Sequence, residues 1–402
     1  MSEQPDVYRR LQDLATDLPL ADYLSRLADV LRGNGQYHEL FEVRKMELRH
    51  RLGLPLLYDD SGSKLDRSTS EALDRGLLEA CREVGTLLFG QSKATEGWMY
   101  LRAVGDRELA GGLLRQIEVT EDRIDELIQV AVYEGVDLEY GFRLLLEQYG
   151  ICNAITTFEQ VMQDRSPRER ERAARQLVEQ LYRDLTENVA HDRAQREGRR
   201  PESQRLIDLI AGHDELFEEN AYHIDTSHLA AVVRFARLLD DAPGWEMGWE
   251  LSEYGRRLAP LYQLPEISPF ESFYPAHSHF FEALLERDVR EVEQATAFFQ
   301  REAERVLEPD APDPSMAREV YIDLLIRLGQ GERAVREAVR LYPERLPGDL
   351  VATLLEVATG AGATEWLLEY ARDHGDLLTF GTLLALRRDD GTGAAASERT
   401  GP

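Results

Sequence analysis

The sequence predicts an all-α protein built from stacked antiparallel helix pairs. Two observations carry that prediction. Apolar residues recur at the i, i+3, i+4, i+7 spacing of a helix buried on one face, and these segments stop at glycine again and again. Runs of alternating β-branched residues bounded by turns, the signature of half-buried strands, are missing. Helix is therefore expected to exceed about 65% of residues, against roughly one third in globular proteins generally.

Leu24, Leu27, Val30 and Leu31 form the first clear apolar stripe, which ends at Gly33-Asn34-Gly35. A second helix follows through Leu40, Phe41, Val43 and Met46, and so short a turn makes the two helices antiparallel neighbours. The same grammar recurs at 77–89 before Gly90, 95–104 before Gly105, 124–133 before Gly135 and 141–149 before Gly150, after which another helix begins at Ala154. Nearer the C-terminus, 317–328 stops at Gly329 and 332–341 stops before Pro343. The longest helix should start at Ser166-Pro167-Arg168-Glu169, which combines a capping serine, proline at the first helical position and glutamate two residues later. Its ridge is Leu177, Leu181, Leu185 and Val189, and it is expected to fray into a charged linker over 193–198.

Stretches rich in Pro, Gly, Ser and Asp at 53–70, 192–203, 240–244, 264–275 and 308–315 mark the breaks. They suggest an N-terminal helical-repeat region at 1–165, a long capped helix with a histidine-rich region at 166–262, a second repeat region at 263–388 and a disordered polar tail at 389–402.

Several helix pairs place a small residue one turn before a large one. Ala94 precedes Trp98 by four and Ala154 precedes Phe158 by four. In the unit from Arg318 to Pro347, Ala334 takes the small position and Ala338 stands where an aromatic is expected. On these residues about half the chain resembles the tetratricopeptide (TPR-like) α-solenoid superfamily. The repeats are irregular, without that family's roughly 34-residue spacing. The resemblance implies a protein or peptide partner and no catalytic activity of its own.

The formal net charge is −28. A surface this acidic repels phosphate, so nucleic acid and anionic membrane are not expected partners. Lys45, Lys64 and Lys93 are the only lysines among 47 basic residues, a bias that either GC-rich coding or adaptation to salt produces. Two cysteines, Cys81 and Cys152, each in apolar surroundings, give neither a disulfide framework nor a zinc ribbon. The polar N-terminus does not read as a signal peptide and no apolar run is long enough to span a bilayer, so the expected location is cytoplasmic.

Phosphate-binding glycine loops, H-E-x-x-H and G-x-S-x-G are absent. One region nevertheless stands out, because six of nine histidines fall between residues 191 and 279. His223, Asp225, His228, His277 and His279 are the candidate ligands of a zinc or iron site, the alternative to a scaffold being a metal-dependent enzyme or small-ligand binder over 187–279. A single helix over 214–240 would set His223 and His228 about 140° apart. A break at Asp225-Thr226-Ser227, a good N-cap string, would let them converge. The competing explanation is histidines that hydrogen-bond across helix interfaces. Trp245, Trp249, Tyr254 and Tyr262 read as aromatic core, or as the lining of a groove.

Overall fold

The computed structural model describes residues 4–57, 65–263, 270, 272–285, 289–305 and 315–397. The protein is all-α: helix makes up 78% of it, and no strand occurs among the described residues. None of these helices is long and apolar enough to cross a membrane. The chain divides into two compact units, 1–165 and 166–402, so the stretches 166–262 and 263–388 fall within one unit.

Unit 1 contains α1 (Gln4–Asp17), α2 (Leu20–Gly33), α3 (Tyr37–Arg51), α4 (Arg67–Gly90), α5 (Ala94–Val104), α6 (Arg107–Leu114), α7 (Ile124–Ile128) and α8 (Leu138–Val161). Each of α2 to α5 packs on the next. The turn between α2 and α3 is made by Asn34 and by Gly35 at φ +70°. α4 begins ten residues before the apolar stripe at Leu77, because Asp66 caps it by accepting from the Thr69 N–H. The closest helix crossing is made by glycine: a Cβ added at Gly85 would lie 3.0 Å from the Gly97 carbonyl, and one at Gly97 would lie 2.5 Å from the Phe89 ring. Ala94 and Trp98 flank that crossing and are buried.

Two local findings depart from regular helix. After α7 the backbone widens into a π-helix over Gln129–Tyr133, and Arg165 donates to the carbonyls of Val132 (3.3 Å) and Tyr133 (2.8 Å) left exposed at its end. α8 is broken at Gly150, at φ +75° and ψ 175°, where the glycine stop was expected. The polar residues after the break bond backward and do not cap forward: Asn153 donates to the Tyr149 carbonyl and Thr156 to that of Cys152.

Unit 2 contains α9 (Pro167–Glu197), α10 (Leu206–Ile210), α11 (Thr226–Ala236), α12 (Ala242–Arg257), α13 (Phe273–Leu284), α14 (Val289–Glu304), α15 (Ser315–Arg327), α16 (Gly331–Leu341), α17 (Gly348–Gly360), α18 (Thr364–Asp373) and α19 (Leu377–Ser397). From α11 to α19 every helix packs on its successor. Ser166 and Glu169 form the reciprocal capping box at the start of α9. At the other end the expected fraying does not occur. Arg193 pairs with Glu197 and Arg196 with Asp192, both at helical spacing, and Gly198 caps the helix at φ +74°. The dense charge there is paired, which composition alone does not reveal.

α12 and α13 are joined by a stripe of small residues. Gly248 faces the Phe281 ring and Gly255 faces the Tyr274 ring, at distances of 2.5 and 2.3 Å from an added Cβ. Buried Ser252 lies between them and donates to the Gly248 carbonyl. Of the polar stretch at 389–402, residues to Ser397 continue α19, and 398–402 lie outside the described residues, as do 58–64, 264–269 and 306–314 of the expected breaks.

A Cβ at Gly97 or Gly248 must displace an aromatic ring in a closed interface. Gly97→Ala and Gly248→Ala are therefore each expected to destabilise the protein by about 1–3 kcal/mol in urea unfolding. Gly90→Ala, with open space around it, is expected to be neutral or slightly stabilising.

Candidate functional site

The five candidate ligands are placed in four separate settings. A turn over 218–225, with Glu219 and Asn220 at positive φ, separates a 3-10 helix at Asp214–Asn220 from α11, so the single-helix alternative for 214–240 is overturned. The reason is local: Asp225 caps α11, accepting from the Ser227 and His228 N–H groups and from the Ser227 hydroxyl. Those bonds, led by Ser227, hold its carboxyl below the usual carboxylate range. His228 joins this cap through its backbone N–H.

His223 points the other way. Its Nε2 lies 3.2 Å from Asp192 on α9 and its Nδ1 lies 2.9 Å from the hydroxyl of buried Tyr254 on α12, which also accepts from the His223 N–H at 2.8 Å. Burial opposes ionisation of Asp192, but the bonds from Arg196 and His223 outweigh it and lower its pKa. The His223 side chain thus ties α9 to α12.

His279 pairs with Glu282 at 3.2 Å, and Glu282 also takes the Trp249 indole N–H, joining α13 to α12. His277 is 1% exposed among Phe270 and Phe273, and its Nδ1–H donates to the Phe273 carbonyl. That bond leaves Nε2 as a bare acceptor, which meets no hydrogen-bond partner.

The five candidate ligands are not gathered into one donor set. Among the described residues no group of three His, Cys, Asp or Glu side chains is arranged to hold a metal ion. His223 and His279 are engaged by carboxylates of different helices, and Asp225 is spent on its cap. Hydrogen bonds to α9 and α12 account for His223, and a pair with Glu282 of its own helix accounts for His279. Tyr254 is buried core, whereas Trp245, which donates to the Leu239 carbonyl, Trp249, which donates to Glu282, and Tyr262, which packs on Tyr222, are half-buried, and none of the four lines the groove along α9.

A groove does exist, on the other side of α9, and the sequence reading missed it. It has a volume of about 540 Å³. One wall is a face of α9 presenting Glu179, Tyr182, Arg183, Thr186, Glu187 and Ala190, which recur at helical spacing. The opposite wall is the strap 200–204, with Met247 of α12 beside it. The strap runs back along α9: Arg200 pairs with Glu187 at 2.5 Å, and farther along the Leu206 N–H donates to the Tyr182 hydroxyl at 3.3 Å.

What holds the strap is a buried carboxylate. Glu250 of α12 is 2% exposed. Its Oε1 accepts from Arg205 Nε (2.9 Å) and Nη2 (2.7 Å), and its Oε2 accepts from the Tyr182 hydroxyl (2.7 Å) and the Ile207 N–H (3.1 Å). Four donors on two oxygens satisfy the charge. Burial, together with the Glu250 charge, pushes the Tyr182 pKa up, so the phenol stays a donor. The signal that marks this network in the sequence is slight, since Glu250 sits among apolar residues of a helix and Arg205 in a polar linker.

Compared with known proteins, the chain matches no family model, no curated protein and no solved structure.

Two outcomes follow from this geometry. Glu250→Ala strands Arg205, the Tyr182 hydroxyl and the Ile207 N–H, and a loss of about 3–5 kcal/mol in urea unfolding is expected. Arg200→Ala removes one half of an exposed pair, 70% and 60% exposed, and is expected to change stability by less than about 0.5 kcal/mol.

A further outcome concerns pH. Burial, with the Arg237 guanidinium adding to it, pushes the His277 pKa down from 6.5 to about 3. The unfolded chain therefore takes up this proton before the folded chain does. Stability is unaffected above about pH 6.5 and falls as pH drops toward 3, by at most about 1.4 kcal/mol per pH unit. Chemical denaturation at pH 7, 6 and 5 is expected to show this slope, and His277→Gln to reduce it.

Proposed function

We propose that the protein is a non-catalytic scaffold of the TPR-like α-solenoid kind, which holds a segment of a partner protein in the groove between α9 and the strap. The observation that carries this reading is the groove itself: open, lined by a mixture of charged, hydroxyl and small apolar groups, and walled by a segment anchored on Glu250. The serial packing of α11 through α19, each helix on the next, supports the repeat reading. The charge of −28 argues against nucleic acid or anionic lipid as the partner. The enzyme alternative has less support, because the candidate ligands are not gathered at one place among the described residues.

A photo-crosslinking residue placed at Met247, in the groove, tests the reading. Irradiation in lysate of the source cells is expected to give a discrete adduct that is absent when the same group replaces exposed Val119 of unit 1. Thr186→Trp, which fills space at the groove wall, is expected to weaken the adduct severalfold. Identical labelling from both positions, or none from Met247, removes the groove as the binding site.

A further inference from the structure

The groove's charges point to the chemistry of its occupant, given the reading that it binds a protein segment. Five ionisable side chains line it: Glu179, Glu187 and Glu202 against Arg183 and Arg200. Two of them cancel, since Arg200 is paired with Glu187. Arg183 donates to the neutral Gln180 and keeps its charge, so the lining carries a net charge of −1, three carboxylates against two guanidinium groups. Glu179, which is half-buried on α9, and Glu202, exposed on the strap, have no ion-pair or hydrogen-bond partner among the described residues. The two walls therefore each offer an unsatisfied carboxylate to whatever lies between them. Glu246, exposed one residue before Met247, adds a third negative charge near the rim.

The backbone of the strap is also unspent. Among the described residues, no backbone–backbone hydrogen bond engages residues 199–204, and only the Ser203 hydroxyl is used, bonding Asp208 and the Arg205 N–H. An unpaired segment anchored at both ends is a template on which an extended chain can lay its own amides. The wall from Glu179 to Ala190 is about 16 Å long at 1.5 Å per residue, room for about five residues of extended chain. Ala190 and Met247 leave apolar space for small side chains only at the margins.

We propose that the groove binds an extended, basic segment of a partner protein, with its arginine or lysine side chains reaching Glu179 on one wall and Glu202 on the other and its backbone running along the strap. Thr186 lies on the same α9 face as Glu179; its hydroxyl donates to the Tyr182 carbonyl, which leaves its oxygen to accept from such a segment. The protein's overall charge of −28 favours the approach of a basic segment, and the two carboxylates select where it settles.

The test uses the full chain and three fluorescein-labelled nonapeptides, identical except that two positions are arginine, glutamine or glutamate. Anisotropy titrations are read at low and at physiological salt. The arginine peptide is expected to bind at least tenfold more tightly than the glutamate peptide, and to weaken with salt. Glu179→Gln with Glu202→Gln is expected to lower its affinity about tenfold. Glu118→Gln with Glu121→Gln, an equal change of charge at exposed positions of unit 1, is expected to leave it unchanged. Equal losses in both double variants would show attraction to the general field alone, and would overturn the site. Tighter binding of the glutamate or glutamine peptide overturns the basic assignment. So does failure of the arginine peptide to bind a protein that still crosslinks a partner from Met247. Loss of the Met247 adduct itself is what defeats the broader groove reading.

Discussion

The carboxylate of Glu250 is taken out of water between α9, α12 and the chain that leads into α10, a position where an unpaired charge would be very costly. The fold answers with a bidentate guanidinium, a phenol and a backbone N–H. Each donor comes from a segment that must then stay in place. Tyr182 brings α9, Arg205 brings the end of the strap, and Ile207 brings the first turn of α10. The groove exists because these three are held together. Its far end is closed by the weaker, exposed Arg200–Glu187 pair. The strap is thus fastened firmly at one end and loosely at the other, an arrangement suited to a wall that has to admit a chain.

Within each unit, helices approach through residues that have almost no side chain. Gly85 and Gly97 let α4 and α5 meet backbone to backbone, and Gly248, Ser252 and Gly255 let α13 lay Phe281 and Tyr274 onto α12. Close approach maximises dispersion contacts and sets the crossing, while the rings fill the volume that the glycines leave. The same α12 presents Glu250 on one side and the glycine stripe on another. It is therefore the element through which the groove is coupled to the serial packing that continues to α19.

The histidines show how polar groups are accommodated in such interfaces. His223 bridges an aspartate of α9 and a tyrosine of α12, while His279 pairs with Glu282 of its own helix, whose carboxylate takes the Trp249 indole N–H of α12. An imidazole offers a donor and an acceptor on opposite edges of one ring, so it can join two helices where a hydroxyl reaches only one.

Helix type, helix stops and caps were legible in the chain because they depend on neighbours a few residues apart. The apolar spacing of Leu24 to Leu31, the turn at Gly35, the break at Gly150 and the box at Ser166 and Glu169 all appear where local chemistry put them. Misreadings arose where a short-range signal was ambiguous. The charges of 192–197 looked like a linker, yet they pair at helical spacing, and Asp66 starts α4 well before its apolar stripe. The site was not legible. Glu250 and Arg205 are 45 residues apart, and nothing in either neighbourhood names the other. Likewise His223 finds Asp192 on one side and Tyr254 on the other, which no spacing predicts. By itself the sequence determined that this protein is helical and where many of its helices turn, since a cap or a periodic stripe acts over one or two turns. Only the tertiary structure decided which buried polar groups meet and where a groove opens, since those depend on how closely α12 can approach its neighbours.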